Sequence, residues 1–125
     1  MAYEVPGLMI TGIANADFTA EQYKGCKLNS SGLIVLAGLN EVNILGVIQN
    51  KPGAGEAVTV MVDGVSIGIA GAAVNPGPVS MDAQGRFIQT TTVNPRVGYA
   101  LEGAGAAGVH IPVALAGPSG GAAAS

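Results

Sequence analysis

The sequence predicts an all-β fold: a small single-domain β-barrel or sandwich built from two diverged β units, with an extended N-terminal segment. Three observations carry this. Val58, Val60 and Val62 alternate with Thr59 and Met61, the two-residue period of a half-buried strand. A turn signature, Asn29-Ser30-Ser31-Gly32, recurs as Asp82-Ala83-Gln84-Gly85, and similar segments follow each copy in the same order. The composition is rich in small residues, with Gly 20, aromatics at 4% and charged residues at 10%. Gly, Val and Thr all weaken helices, whereas Val and Thr fit a pleated sheet.

Residues 1–24 form an N-terminal arm or a first strand. Leu8, Met9, Ile10 and Ile13 make an apolar run, broken by Pro6, Gly7 and Gly12. Asp17 to Tyr23 reads as one helical turn capped by Asp17, or as a loop. The β domain spans 25–116, with pseudo-repeats at 25–70 and 77–116. Both turn signatures place Asn or Asp first and Gly fourth, which suits a type I turn closed by a Gly-bulge. They lead into Leu33-Ile34-Val35-Leu36 and Arg86-Phe87-Ile88-Gln89-Thr90-Thr91-Thr92. Next come Gly46-Val47-Ile48 and Gly98-Tyr99-Ala100-Leu101, small-residue loops, and alternating strands over 58–62 and 109–113.

Asp63-Gly64 supplies the positive φ angles of a tight hairpin, which would pair Val62 with Val65, Val60 with Ile67 and Val58 with Ile69. The rival is a continuous strand with a bulge at Gly64. Pro112 marks a strand end or a sheet edge. Residues 70–78, with Pro76 and Pro78, connect the copies, and 117–125 is a low-complexity, flexible tail.

Charge and cysteine usage narrow the functional classes. The net charge is −3, and the five cations, Lys24, Lys27, Lys51, Arg86 and Arg96, are scattered rather than gathered into a stripe. A nucleic-acid partner is therefore not expected. No run of 18 apolar residues occurs, so no membrane-spanning helix is expected. Met1-Ala2-Tyr3-Glu4 lacks the basic segment and apolar core of a secretory signal, and the single Cys26 makes no internal disulfide. An intracellular origin is the expectation. A mean hydropathy of +0.47 with so few charges leaves apolar surface that a contact between subunits would cover.

Chemistry is sparse. His110 is the only histidine and alternates away from Val109, Ile111 and Val113, with no partner that would make it a catalytic base. Cys26 beside Lys24 and Lys27 lacks a paired base. One Cys and one His give no metal cluster. Gly64, Gly68 and Gly71 lack the Lys-Ser/Thr ending of a phosphate loop. Asn29-Ser30-Ser31 fits a glycosylation sequon but serves as a turn. The expectation is no catalytic residue, no cofactor and no metal.

Gly46-Val47-Ile48-Gln49-Asn50, Pro52, Gly55-Glu56-Ala57 and Val60-Met61-Val62-Asp63-Gly64 together resemble the small head decoration (cement) proteins of tailed bacteriophages. Asp82 to Arg86, Gly98 to Glu102, Ala106-Ala107-Gly108 and the terminal strand share the resemblance, which covers about residues 25–116. Its most distinctive part is Gln49-Asn50-x-Pro52-x-x-Gly55-Glu56. The resemblance implies a β-barrel-like fold, no catalysis, and stabilisation of an icosahedral capsid against internal DNA pressure. It also implies the major capsid protein as partner and a place on the virion's capsid surface after synthesis in the host bacterial cytoplasm.

Copies on a shell follow its local axes, which favours a homotrimer, with a dimer as alternative. Contact residues are expected among Leu8, Met9, Ile10 and Ile13, where an arm adds to a sheet edge, and at Asn50, Lys51 and Pro52. The rival function is a small β-rich ligand-binding module, for example for carbohydrate. Sugar sites present aromatic platforms, and this chain has no Trp and only Tyr3, Tyr23 and Tyr99.

Overall fold

The computed structural model describes residues 3–39, 41, 44–90 and 96–115; the expected tail at 117–125 lies outside them. Among the described residues there is no helix. The strands are β1 (Val5–Pro6), β2 (Met9–Ile13), β3 (Gly25–Leu28), β4 (Ile34–Leu36), β5 (Gly46–Ile48), β6 (Ala57–Met61), β7 (Gly64–Ile69), β8 (Gly77–Met81), β9 (Phe87–Gln89), β10 (Gly98–Ala100) and β11 (His110–Leu115). They form two antiparallel sheets, one ordered β1-β7-β11-β10-β8-β9 and the other β2-β6-β5-β3-β4.

With β1 set aside, the two sheets have one topology: first strand, fifth, fourth, second, third. The correspondence extends to single hydrogen bonds. Asn29 N donates to Leu33 O, and Asp82 N to Arg86 O; Gly32 N donates to Asn29 O, and Gly85 N to Asp82 O. Gly32 and Gly85 have φ of 79° and 75°, the left-handed turn position that their hairpins require. Parallel bridges Ala14–Ile34 and Ala70–Phe87 bring the far strands of each five-strand unit together. Each is a single bridge rather than a ladder, so neither sheet closes into a barrel, and the sandwich describes the fold. Each unit starts earlier than the sequence pattern shows, with β2 and β7, because its first strand pairs with its last.

The Asp63-Gly64 hairpin does not form. β6 and β7 lie in different sheets, and the chain crosses between them at Val62 and Asp63. The N-terminal segment runs antiparallel beside this crossing, and its register never slips from Val5↔Val65 to Ile13↔Ala57. Between the two pairings, Val62 N donates to Leu8 O at 2.9 Å. Residues 5–13 thus act as one continuous edge strand shared by both sheets. At the crossing the backbones nearly touch: a Cβ on Gly7 would lie 2.5 Å from Asp63 O, and one on Gly64 would lie 2.6 Å from Val5 O. Gly64 also has φ 103°. The positive φ that suggested a hairpin is used instead to turn the strand from one sheet into the next, nearer to the bulged-strand alternative.

Pro112 sits in β11, which lies between β7 and β10 rather than at an edge. Leu101 N donates to Pro112 O, so the side of Pro112 that lacks an N–H faces Leu101, just past the end of β10. The ladder stops there, and of that reciprocal pair only the Leu101 bond forms, because Pro112 has no N–H to donate back to Leu101 O. The expected helical turn after Asp17 is a pair of irregular turns, with Thr19 N bonded to Asp17 Oδ1 at 3.0 Å.

Two apolar clusters fill the sandwich. One joins Phe18 and Ala14 to Cys26, Ile34, Ile48, Val58, Val60 and Val62. The other joins Val79, Phe87, Val97, Ala100, Ile111 and Val113 of the second unit to Ala37, Ile44 and Val47 of the first. This second cluster holds the sheets together.

Because the crossing needs both a bare Cα and a positive φ, Gly64→Ala is expected to cost about 2 kcal/mol or more. Urea unfolding checks this, with Gly105→Ala, which has open space around it, as the control of nearly unchanged stability.

Candidate capsid-contact surface

The expected contact residues fall into two groups. On β2, Met9, Thr11 and Ile13 share one face, and Ile10 and Gly12 the other, as the strand pleat requires. Leu8, Met9 and Ile13 are exposed, Leu8 at 61%. Ile10 is half-buried and packs against the cluster around Val60. A Cβ on Gly12 would lie 2.7 Å from Ile34 Cγ1, so the inner face of β2 belongs to the core. The segment is therefore an edge strand with an exposed apolar outer face.

The second group lies in the loop between β5 and β6. Asn50 Oδ1 accepts from Thr59 N at 3.0 Å, and its Nδ2 donates to Ala57 O at 3.0 Å, so the side chain braces the loop across its neck. Pro52 is buried, and its carbonyl accepts from Phe18 N at 2.9 Å. Glu56 Oε1 accepts from Gly53 N at 2.6 Å. Only Lys51 of the three expected residues is exposed; Asn50 and Pro52 are held inside their own loop. The fold sets this loop beside one end of β2, because Ala14 N donates to Glu56 O and Gly55 N to Ala14 O, both at 3.0 Å. Ile13 and Lys51 are thus brought to one end of the first unit, and Leu8 and Met9 to the other end of β2.

Sequence reasoning missed a further apolar feature. The pairs Val5↔Val65, Val65↔Ala114, Ala114↔Tyr99 and Tyr99↔Pro78 form one row across five strands. Cross-strand partners share a face, so this row is a continuous apolar band. Val5 is 55% exposed and Tyr99 49%. Alternation at Gly98-Tyr99-Ala100 already set Tyr99 apart, but the row needs the strand order, which local pattern does not encode.

The residues with reactive potential are placed structurally. Cys26 lies in β3 with no exposure, and burial pushes its thiol from 9.0 up to about 12, a backbone hydrogen bond from Gly46 opposing only in part. The thiol stays protonated and is a poor nucleophile. His110 is exposed, and its ring meets the edge of Tyr23 at 5.4 Å and 77°. Tyr23 has φ 71°, unusual for a side chain of its size, and donates its N–H to Ile48 O at 2.7 Å. This aromatic pair joins the first unit to the second. Lys24, Lys27 and Arg86 pair with Glu21, Glu41 and Asp82, which leaves no basic stripe among them. No group of three His, Cys, Asp or Glu residues that could hold a metal occurs among the described residues.

The fold is a repeated all-β sandwich in which Asn50, Asp82 and Glu56 brace their own loops and apolar residues stand exposed at β2 and at Tyr99. Residues 19–115 match the phage cement protein family. The chain belongs to that family. Comparison with curated protein sequences finds no match. Among solved structures, the chain is similar to the crystal structure of the head fiber gp8.5 N base in bacteriophage phi29, at 17% sequence identity and a TM-score of 0.67. That similarity covers 86% of this chain and 92% of the other, and at this identity it shows a shared fold. As a cement-family protein, the chain has a structural role on the phage capsid and is a component of the virion.

The Cys26 thiol yields a test. In the unfolded chain it ionises near its ordinary value, whereas in the folded chain it does not ionise until about 12. Its contribution to stability is therefore intact below the ordinary value and is lost as pH rises from there toward 12. An aromatic disulfide reagent at pH 8 is expected to modify native protein at the rate of unfolding, and urea-unfolded protein at once. Rapid modification of the native protein would contradict the buried, protonated assignment.

Proposed function

We propose that this cement-family protein binds the outside of an icosahedral capsid, in contact with the major capsid protein, and stabilises the shell against DNA packaging pressure. It is made in the host bacterial cytoplasm and works without catalysis, as a homotrimer or, alternatively, a dimer. The match of residues 19–115 to the cement proteins is the observation that carries this reading. The geometry supports it in two ways. Asn50, Asp82 and Glu56 spend their hydrogen-bonding capacity on backbone within their own loops, which makes rigid contact surfaces. Met9 and Ile13 give the edge strand an apolar outer face, and Leu8 stands exposed just before the start of β2, where a partner would cover them.

We assign the capsid contact to Leu8, Met9 and Ile13, with Lys51 as the charged side chain at the Ile13 end. Ile10 supports this surface from the core, and Asn50 and Pro52 shape the loop that holds Lys51. Deleting residues 1–14 is a poor probe, because Ile10 and Ala14 belong to the core cluster. Substitution of the outward side chains avoids that difficulty.

The double variant Leu8→Asp/Ile13→Asp is expected to keep its circular dichroism spectrum and lose shell binding by about tenfold or more, as when central apolar anchors are removed. Co-sedimentation with expanded phage shells reads the loss. A folded variant that pellets as the parent does would remove this edge from the contact, and failure of the parent protein to pellet with shells would refute the function.

A further inference from the structure

The two units of this chain do not meet symmetrically. The outer row of the first sheet, Gly25↔Val47↔Met61, is buried. It is covered by the second unit. A Cβ on Gly25 would lie 2.5 Å from Met81 Sδ, and Val47 shares a cluster with Met81 and Phe87. Gly25 N donates to Gly85 O at 2.8 Å, and Gln49 Nε2 donates to Ser66 Oγ at 2.9 Å. The β8–β9 hairpin of the second unit therefore seats on the β3–β5 face of the first.

Strand pairing identifies the counterparts of both surfaces. Cys26↔Leu36 and Leu28↔Ile34 in the first unit match Val79↔Gln89 and Met81↔Phe87 in the second. Gly25↔Val47↔Met61 matches Pro78↔Tyr99↔Ala114. Leu28 is thus the counterpart of Met81, and Tyr99 of Val47. Both counterparts are bare: Leu28 is 50% exposed and Tyr99 49%, whereas Met81 and Val47 are fully buried. The turns show the same contrast. A Cβ on Gly85 would lie 3.0 Å from Gly25 O, while nothing lies within 4 Å of one on Gly32. One chain thus carries a free hairpin of the kind that docks and a free face of the kind that accepts it.

We infer that the β3–β4 hairpin of one copy, led by Leu28, docks on the Pro78–Tyr99–Ala114 face of a second copy, repeating between chains the contact made within each. This deepens the proposed association of copies and rests on that reading. The occupant is a second copy because the chain itself supplies both halves of the contact, in a geometry it already uses. Such a contact is heterologous: different surfaces meet, and successive copies close into a ring or continue as a filament according to the rotation between them. Pro78 has no N–H to match that of Gly25, so the backbone bond to the hairpin turn is absent between copies. Contact there rests on side-chain burial, which makes it looser than the internal one.

Sedimentation velocity on the full chain without shells tests the surfaces separately from capsid binding, which pelleting with shells reads. The parent protein is expected to associate at high micromolar concentration, and Leu28→Asp and Tyr99→Asp each to sediment as monomers. A second measurement uses Leu28→Cys and Pro78→Cys proteins, with folding checked by circular dichroism. Under mild oxidation, mixing the two is expected to trap a mixed disulfide dimer that neither forms alone. A parent protein that stays monomeric, Asp variants that associate as the parent does, or Leu28→Cys linking to itself in preference would each overturn the inference. If association fails while shells still bind the protein, the capsid role stands and these surfaces do not; if shells are not bound while association persists, the reverse holds.

Discussion

The structure depends on a close crossing of two backbones at Gly7 and Gly64. There the strand that closes the first unit becomes the strand that opens the second, and the N-terminal segment follows it across without changing register. Side chains at either glycine would push the ribbons apart. The paired segments on both sides hold β2 against β6 and β1 against β7, so one ladder staples the edges of both sheets. A small protein with few charges and no disulfide thereby fixes how its two halves sit, the backbone ladder acting together with the apolar cluster shared between them.

Duplication explains the rest of the architecture. The two units repeat their turns, bridges and strand order, yet the second packs on the first asymmetrically, which leaves Leu28 and Tyr99, the counterparts of buried Met81 and Val47, exposed. Asn29 and Asp82 do the same local work, each carboxyl or amide oxygen accepting two backbone N–H groups in its turn. Asp82 adds a bond from Arg86 Nε at 2.9 Å and lies in the seated hairpin, where a charged pair rigidifies the contact. The apolar excess in the composition is then accounted for twice over: by a shared core between sheets, and by the exposed rows at β2 and at Tyr99. Exposed apolar rows on such a sandwich are consistent with the structural role on the phage capsid that the cement family implies.

Much of the fold was legible in the sequence where local chemistry decides it. The Asn29–Gly32 and Asp82–Gly85 turns, the alternating strands at 58–62 and 109–113, and the presence of two β units could all be read from short segments. The errors came where partners distant in the chain decide. Asp63-Gly64 has the local chemistry of a hairpin, but β6 finds β2, some fifty residues away, and β7 finds β11. Pro112 reads as an edge residue, yet it lies in a central strand, at the point where the ladder to β10 ends and one bond of the last pair is forgone. The candidate surface was legible in the same measure. The apolar run at Leu8 to Ile13 stands out in sequence, whereas the inward turn of Ile10, the bracing roles of Asn50 and Pro52, and the row through Tyr99 follow only from register.

We propose that this chain is an external structural component of a phage shell. The most direct measurement is a cryo-electron microscopy reconstruction of expanded shells incubated with the purified protein. Added density is expected on the outer surface, at sites related by the shell's symmetry, into which the two-sheet sandwich fits with its β2 edge against the capsid. Shells that carry no added density, or density only on the inner surface, would contradict it.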